Sequence, residues 1–258
     1  MLRNDVLDLI MNRGSIRSYT DEEPSDEVIE AIVRAGQQAP FAGQLGSLLL
    51  SRNRGGNPFG APLLFTVCVD VNRLELVMRK RGWERATSDP AILLFGIQDA
   101  AYMAENMVIA AASLGLGSCF LGAAPFHAER IIEEYSLPPR VFPLVQLAIG
   151  YPAEVPPPRP RYPLEFTLFE DHYPDFDRTA IEEAARVMDE GYLAQDYYRK
   201  AGYMVPIEDG RPEPLTFARY SWSEHMGRKW GQWLKDPADL LGPLAKCGFR
   251  IEKGDGAP

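Results

Sequence analysis

From Gln98 to Leu114 nearly every residue is apolar or alanine, and the polar ones, Gln98, Asp99, Glu105, Asn106 and Ser113, form a narrow stripe at seven-residue spacing. A helix with so little polar surface has to be buried on most of its sides. In a chain of 258 residues, enough for one substantial domain, this predicts the centre of the core, or the core together with a partner subunit. Gly115-Leu116-Gly117 ends the helix.

The remaining elements follow from periodicity and capping. Asn4 to Asn12 reads as a short amphipathic helix with Val6, Leu7, Leu9 and Ile10 on its apolar side. Ser25 caps a helix to about Ala39, with Asp26 and Glu27 in its first turn, Val28, Ile29, Ile32 and Val33 on its buried face, and Pro40 as its stop. Strands are predicted near Ser47–Ser51 and Leu63–Asp70, with a helix over Asn72–Lys80. A short strand over Ser118–Leu121, a helix over Phe126–Tyr135 and a buried strand over Phe142–Gly150 come next. Pro152 to Pro163 carries six prolines and predicts an extended arm. Helices near Thr179–Tyr198, Ser223–Leu234 and Ala238–Cys247 follow it without a β-core of their own. Such a tail suits wrapping around something, and in a homodimer the partner subunit is the simplest candidate. The expected organisation is a core over 1–150 and an arm with C-terminal helices over 151–258, within one domain overall.

Lys and Arg number 27 against 36 Asp and Glu, a formal charge of −9. A nucleic-acid binder shows the opposite balance or a concentrated basic face, so no nucleic-acid partner is expected, although a local arginine cluster can still hold a small anion. Cys68, Cys119 and Cys247 are far apart and form no C-x-x-C pair, which suits reduced thiols. His127, His172 and His225 are equally scattered, and no metal site is expected. No apolar run is read as approaching the roughly 18 to 20 residues of a membrane span. Met1-Leu2-Arg3-Asn4-Asp5 lacks the basic-then-apolar start of a secretory signal. The expectation is a cytoplasmic protein with no membrane partner.

Arg13, Ser15 and Arg17 occupy alternate positions of an extended segment, so all three can face one way. Arg13 and Arg17 would then stand roughly 13 Å apart, too far to grip one phosphate but suited to a long ligand with an anionic end. On spacing alone a solvated turn with two surface arginines is the simpler reading.

Other segments change that balance. Arg13–Tyr19, with its R-x-S-I-R-x-Y pattern, resembles the phosphate-binding opening of the nitroreductase family, and so does Ala39-Pro40 at the end of the second helix. Gln98–Asn106 followed by Ala110–Gly117 is similar to that family's central helix and glycine stop. Gly150-Tyr151-Pro152-Ala153-Glu154 and Arg159-Pro160-Arg161-Tyr162-Pro163 fit its G-Y-P-A-E and K/R-P-R-L-P signatures. Ser221-Trp222-Ser223-Glu224-His225 resembles a tail segment of the NADPH-dependent nitroreductase and flavin reductase branch. The matches run in order through most of the chain.

The resemblance implies an α+β fold with a central, mostly antiparallel sheet flanked by helices, in a domain-swapped homodimer with FMN at the interface. Carried onto this sequence, it puts Arg13, Gly14 and Ser15 at the FMN phosphate and Arg17 at the N1/O2 edge of the ring, where negative charge develops when hydride reaches N5. Gln44 falls where the family has an amide reaching the pyrimidine edge. Phe120, Leu121, Gly122 and Ala123 correspond to a turn over the ring, with Gly122 suited to close backbone approach. Arg159 and Arg161 match a second phosphate-binding pair, though surface charges on a solvated arm are the other reading. Arg219, and roughly Lys235, match arginines used for the NADPH 2′-phosphate, while Pro214 and Leu215 stand where another is expected.

The implied activity is ping-pong reduction of nitroaromatics, quinones or flavins, with NADPH or NADH as donor and no catalytic side chain. Cys119 reads most simply as a small buried residue. The short stretch Arg52–Pro62 and the incomplete nucleotide arginines leave two alternatives: a specialised FMN enzyme such as a dehalogenase, an ene-reductase or a flavin-consuming enzyme, or a flavin-binding protein without turnover. Phe41, Tyr203 and Trp230 read as core or interface packing rather than acceptor-stacking rings.

Overall fold

The computed structural model describes residues 2–208, 210, 212–233 and 240–251. The chain divides into two compact units, Met1–Pro156 with Ala238–Pro258, and Pro157–Pro237.

In the first unit, four strands, β1 (Gly46–Ser51), β2 (Leu63–Asp70), β3 (Gly117–Leu121) and β4 (Val141–Gly150), form a sheet in the order β1-β2-β4-β3. Every pairing is antiparallel, as expected. β2 is buried along its whole length, because it lies inside the sheet and is covered on both faces. Around the sheet stand α1 (Asp5–Met11), α2 (Asp26–Gln37), α3 (Asn72–Lys80), α4 (Asp89–Ser113) and α5 (Ala128–Tyr135). Ser25 caps α2 by accepting from the Val28 N–H, which satisfies one donor of the first turn. Leu63, Phe65, Leu147 and Ile149 point to one face of the sheet and pack on Ile29 and Ile32 of α2 and Met107, Val108 and Ala111 of α4.

The central helix α4 differs from expectation in two ways. It begins at Asp89, not Gln98, and runs for 25 residues. By length and composition it would suffice to cross a membrane, contrary to the reading that no run comes near that length. Its inner face is nevertheless core, with Ile92, Gly96, Ala100, Ala104, Met107 and Ala111 buried. Pro90 sits in the first turn, where a missing N–H is harmless. Gly96 resembles a breaker but is a contact: a Cβ there would meet Val69 Cγ1 at 2.3 Å. Gly96→Ala is therefore expected to destabilise by about 1–3 kcal/mol through overpacking, reversing the roughly 1 kcal/mol gain that alanine gives in an open helix; urea unfolding measures the sign. Secondly, Asp99 leaves the polar stripe and is buried, whereas Leu94, Phe95 and Tyr102 stand exposed beside Gln98 and Glu105.

The last described segment returns to the same core. After the last described helix (Leu241–Lys246), Cys247 and Phe249 pack with Val69, Val71 and Phe142. Arg140 fastens this segment. It donates to Gly248 O at 2.6 Å, to Asp89 at 2.9 Å and to Glu75 at 3.2 Å, with its guanidinium 4.4 Å from the Phe249 ring centroid. Arg85 also bridges Glu75 and Asp89, and the Arg250 N–H donates to Asp89 at 2.6 Å.

The second unit opens with the extended arm and contains α6 (Arg178–Ala194), α7 (Tyr197–Ala201) and α8 (Trp222–Arg228), the last continuing into a π-helical turn, Lys229–Trp233. The single helix expected over Thr179–Tyr198 is broken at Asp196, whose φ is +50°. Gln195, the last residue before the break, bonds Arg159 at 2.7 Å and Pro158 O at 2.8 Å through its side chain. The unit's interior is polar-aromatic. Tyr220 is fully buried and its hydroxyl accepts from the Val205 N–H, while buried Arg228 forks onto both oxygens of Glu213 and pairs with Glu224.

Candidate functional site

The segment Arg13–Tyr19 lies along the outer edge of β3. Ser15 makes a parallel bridge with Ser118, and the Ile16 N–H donates to Ser118 O at 2.9 Å. Its other margin is fastened to the corner after β4. Tyr19 bridges Pro152, the Thr20 N–H donates to Tyr151 O at 2.9 Å, and the Ala153 N–H donates to Ser18 O at 2.9 Å. The Arg17 N–H donates to the Glu154 carboxylate. The Gly150–Glu154 signature is thus the clasp that holds the segment extended. Tyr19 adds a strut, its hydroxyl donating to Ile16 O at 2.8 Å, and burial pushes its phenol well above the usual tyrosine range.

Burial pushes the Cys119 thiol up, and the Arg17 guanidinium, the Ser15 hydroxyl and Arg13 all act against that rise. Arg13, Ser15 and Arg17 thus lie along β3, joined to it by the Ser15–Ser118 bridge. Among the described residues neither Arg13 nor Arg17 forms an ion pair, in contrast to Arg3, Arg52, Arg54 and Arg73. Cys119 is buried, in keeping with a packing role. Gly14 lies against Pro156, whose ring is 3.0 Å from where a Cβ would stand.

Beyond Cys119 the strand leads outward. Phe120 is partly exposed, and Leu121 packs with Tyr19, Ala61, Leu64 and Ala148. Gly122 and Ala123 are exposed in the following turn. An added Cβ at Gly122 would meet nothing within 4 Å, so the folded chain itself makes no demand for glycine there. From Ser118 to Gly122 the edge spans four residues, roughly 13 Å of extended chain.

Gln44 is not brought to this edge. It precedes β1, the opposite edge strand, and Gly46 pairs across Val69 to the level of Phe142, whereas Ser118 pairs with Ile149. That separates the two sites by three strand spacings, roughly 14 Å, and by roughly 23 Å along the strands. Gln44 lines its own cleft with Phe41, Pro40, Arg73, Asp99 and Met103, and its backbone is left-handed, φ +52°.

Arg159 and Arg161 lie in the second unit. Arg159 is engaged there by Gln195 and by the Tyr197 ring, 4.1 Å from its guanidinium, while Arg161 is exposed and donates to the Arg159 and Pro160 carbonyls. Arg219 is exposed in a turn before Tyr220. Lys235 lies outside the described residues. Phe41, Tyr203 and Trp230 are all exposed in the chain, which removes core packing as their explanation.

Sequence reasoning missed Tyr19 and Glu154 as fasteners and Asp99 as a loop anchor. Glu154 carried a signal, since it ends the G-Y-P-A-E signature. Asp99 carried only a weak one, a carboxylate in an apolar helix.

The family model described as Nitroreductase family matches residues 10–52 and 49–151. The chain is 32% identical over 186 residues to the FMN reductase [NAD(P)H] of Bacillus subtilis (strain 168), covering 66% of this chain and 75% of that protein. It is 29% identical over 204 residues to the oxygen-insensitive NADPH nitroreductase of Salmonella typhimurium, covering 74% and 83% respectively. Among solved structures, B. megaterium NfrA2 superposes with a TM-score of 0.81 at 26% identity, covering 97% of this chain and all of the other.

Proposed function

Because this chain belongs to the nitroreductase family, we propose that it is an FMN-dependent oxidoreductase that takes hydride from NADPH or NADH and passes it to a nitroaromatic, a quinone or a free flavin. The observation that carries this reading is the pinning of the Arg13–Arg17 segment along the edge of β3, with neither guanidinium in an ion pair among the described residues. Arg13 and Ser15 toward one end, with Arg17 and the open Gly122 backbone toward the other, fit a long ligand with an anionic tail and a flat ring.

FMN, when bound, supplies the hydride-accepting and hydride-donating chemistry. The chain's residues hold and bias it. Arg13 and Ser15, with the Gly14 backbone, hold the phosphate. Arg17 stands as fixed positive charge at the pyrimidine edge, where preorganised charge lowers the barrier most. Phe120 to Ala123 form the wall along the ring, with Gly122 permitting approach. The family likeness alone assigns Arg159 and Arg161 to phosphate contact and Arg219 and Lys235 to donor recognition, all four in the second unit. No side-chain nucleophile or general base is needed, which agrees with burial pushing the Cys119 thiol up.

Gln44 reaches the flavin only if a second subunit supplies it, because within one chain it sits at the diagonally opposite corner of the sheet. A two-fold homodimer brings one chain's β3 edge to the partner's Gln44 loop, and Leu94, Phe95 and Tyr102 of α4 are apolar residues such an interface would cover.

Anaerobic titration with NADPH and then NADH, following the flavin absorbance band, tests this. Bleaching by either donor and recovery on adding a quinone or nitroarene is the expected result. Bound flavin that neither donor bleaches assigns the protein to the specialised or non-catalytic flavoproteins, and failure to bind FMN removes the role of Arg13, Ser15 and Arg17.

A further inference from the structure

We propose that Asp99 and Arg73 form a clamp that positions Gln44, fixing the loop before β1 in the backbone conformation that presents this side chain to the flavin of the partner subunit; this rests on the flavin reading above. Asp99 is 4% exposed on an otherwise apolar helix, where an unsatisfied carboxyl group would be costly. Its partners are neither on its own helix nor charged. Oδ1 accepts from the Ala42 N–H at 2.6 Å, and Oδ2 accepts from the Gly43 N–H at 3.0 Å and the Leu45 N–H at 2.9 Å. Three donors of one short loop are thus read by one side chain.

Arg73, at the start of α3, takes the loop's carbonyl side. It donates to Gln44 O at 3.1 Å and to Gly46 O, and is itself held by buried Asp70 at 2.8 Å. The Asp70 N–H donates to Leu45 O at 2.6 Å. Between these grips Gln44 alone adopts the left-handed region, φ +52°. A non-glycine residue is held there only when its surroundings over-determine it. If the loop needed only to turn, glycine would turn it without strain; glutamine at that position means the side chain is what the loop exists to present. That side chain takes no part in the clamp and is exposed.

The test is a double-mutant cycle on the purified holoenzyme, measuring FMN affinity for the wild type, Gln44→Ala, Asp99→Asn and the double variant. The amide introduced by Asp99→Asn would turn an N–H toward a main-chain N–H and loosen one side of the clamp. Each single change is expected to weaken FMN binding about tenfold, and the double variant to be within about twofold of Gln44→Ala, since coupled residues do not add. Additive losses, about a hundredfold in the double variant, overturn the proposal while leaving the flavin assignment intact. If Gln44→Ala leaves FMN affinity unchanged, both the role of Gln44 and the clamp's purpose fall. A wild type that does not bind FMN fails the flavin reading itself. Should Asp99→Asn not fold, the same cycle with Arg73→Gln applies, because that side chain is 54% exposed and its loss leaves the core filled.

Discussion

Arg17→Ala is expected to lower kcat/KM with a quinone acceptor by about a hundredfold, the magnitude typical of losing one preorganised charge from the reacting edge. The melting temperature is expected to stay within a degree or two, because the anchoring contact of residue 17 is its backbone N–H to Glu154, which alanine keeps. The Arg17 guanidinium forms no ion pair among the described residues, so its removal leaves no carboxylate there without its partner. Arg17→Lys keeps charge without the planar fork and is expected to recover only part of the loss. Rapid-mixing measurement of flavin reduction, beside a thermal melt, separates the two effects. A variant that turns over normally would remove Arg17 from the flavin edge.

Arg140→Ala is expected to cost about 3–5 kcal/mol of stability, the range for breaking one partner of a buried ionic network. The Arg140 side chain is 12% exposed and those of Asp89 and Glu75 are 11% and 17% exposed, so solvent cannot replace it. Its loss also frees the Phe249 ring and the Gly248 carbonyl, undoing the return of the C-terminal segment to the core. The same network gives a pH signature. Burial works to raise the Asp89 carboxyl, but hydrogen bonds from Arg140, the Arg250 N–H and Arg85 outweigh it and pull it down to about 2. A carboxyl group depressed on folding stabilises fully above its ordinary value of 3.8 and loses that contribution as pH falls toward 2. Denaturant midpoints recorded through that acid window should drop steeply for the wild type and less steeply for Asp89→Asn. Parallel slopes for the two would show that Asp89 is not the group responsible.

The features legible in the sequence were those written locally. Ser25 with Asp26 and Glu27 announces α2, and Leu63–Asp70 announces a buried strand, because capping and period are properties of neighbouring residues. Arg13, Ser15 and Arg17 were singled out by period two, but spacing alone favoured a solvated turn, and only the family likeness pointed to an anion. The misreadings have tertiary causes. α4 starts nine residues before Gln98, with Pro90 harmless in its first turn and Gly96 fitted against Val69, a contact that no local pattern shows. The break at Asp196, whose φ is +50°, is marked by no glycine or proline in the sequence. Asp99 falls in a polar stripe by spacing, and only the loop at Ala42–Leu45 turns it inward. Gln44 could be assigned from family likeness, but no local pattern says that it stands diagonally across the sheet from Arg13.

The clasp between Arg13–Thr20 and the Gly150–Glu154 corner also sets an order of events. Arg17 meets Glu154 across 137 positions of chain, and the Thr20 and Ser18 contacts close comparably long loops. Contacts so distant in sequence form late, after the strands that bring their ends together. A chain emerging N-terminus first therefore carries Arg13, Ser15 and Arg17 before β4, and the arrangement proposed for the cofactor waits until β4 and its corner have emerged and paired. Cofactor capture is by this account a late step of biosynthesis, made by a completed sheet rather than by a growing one.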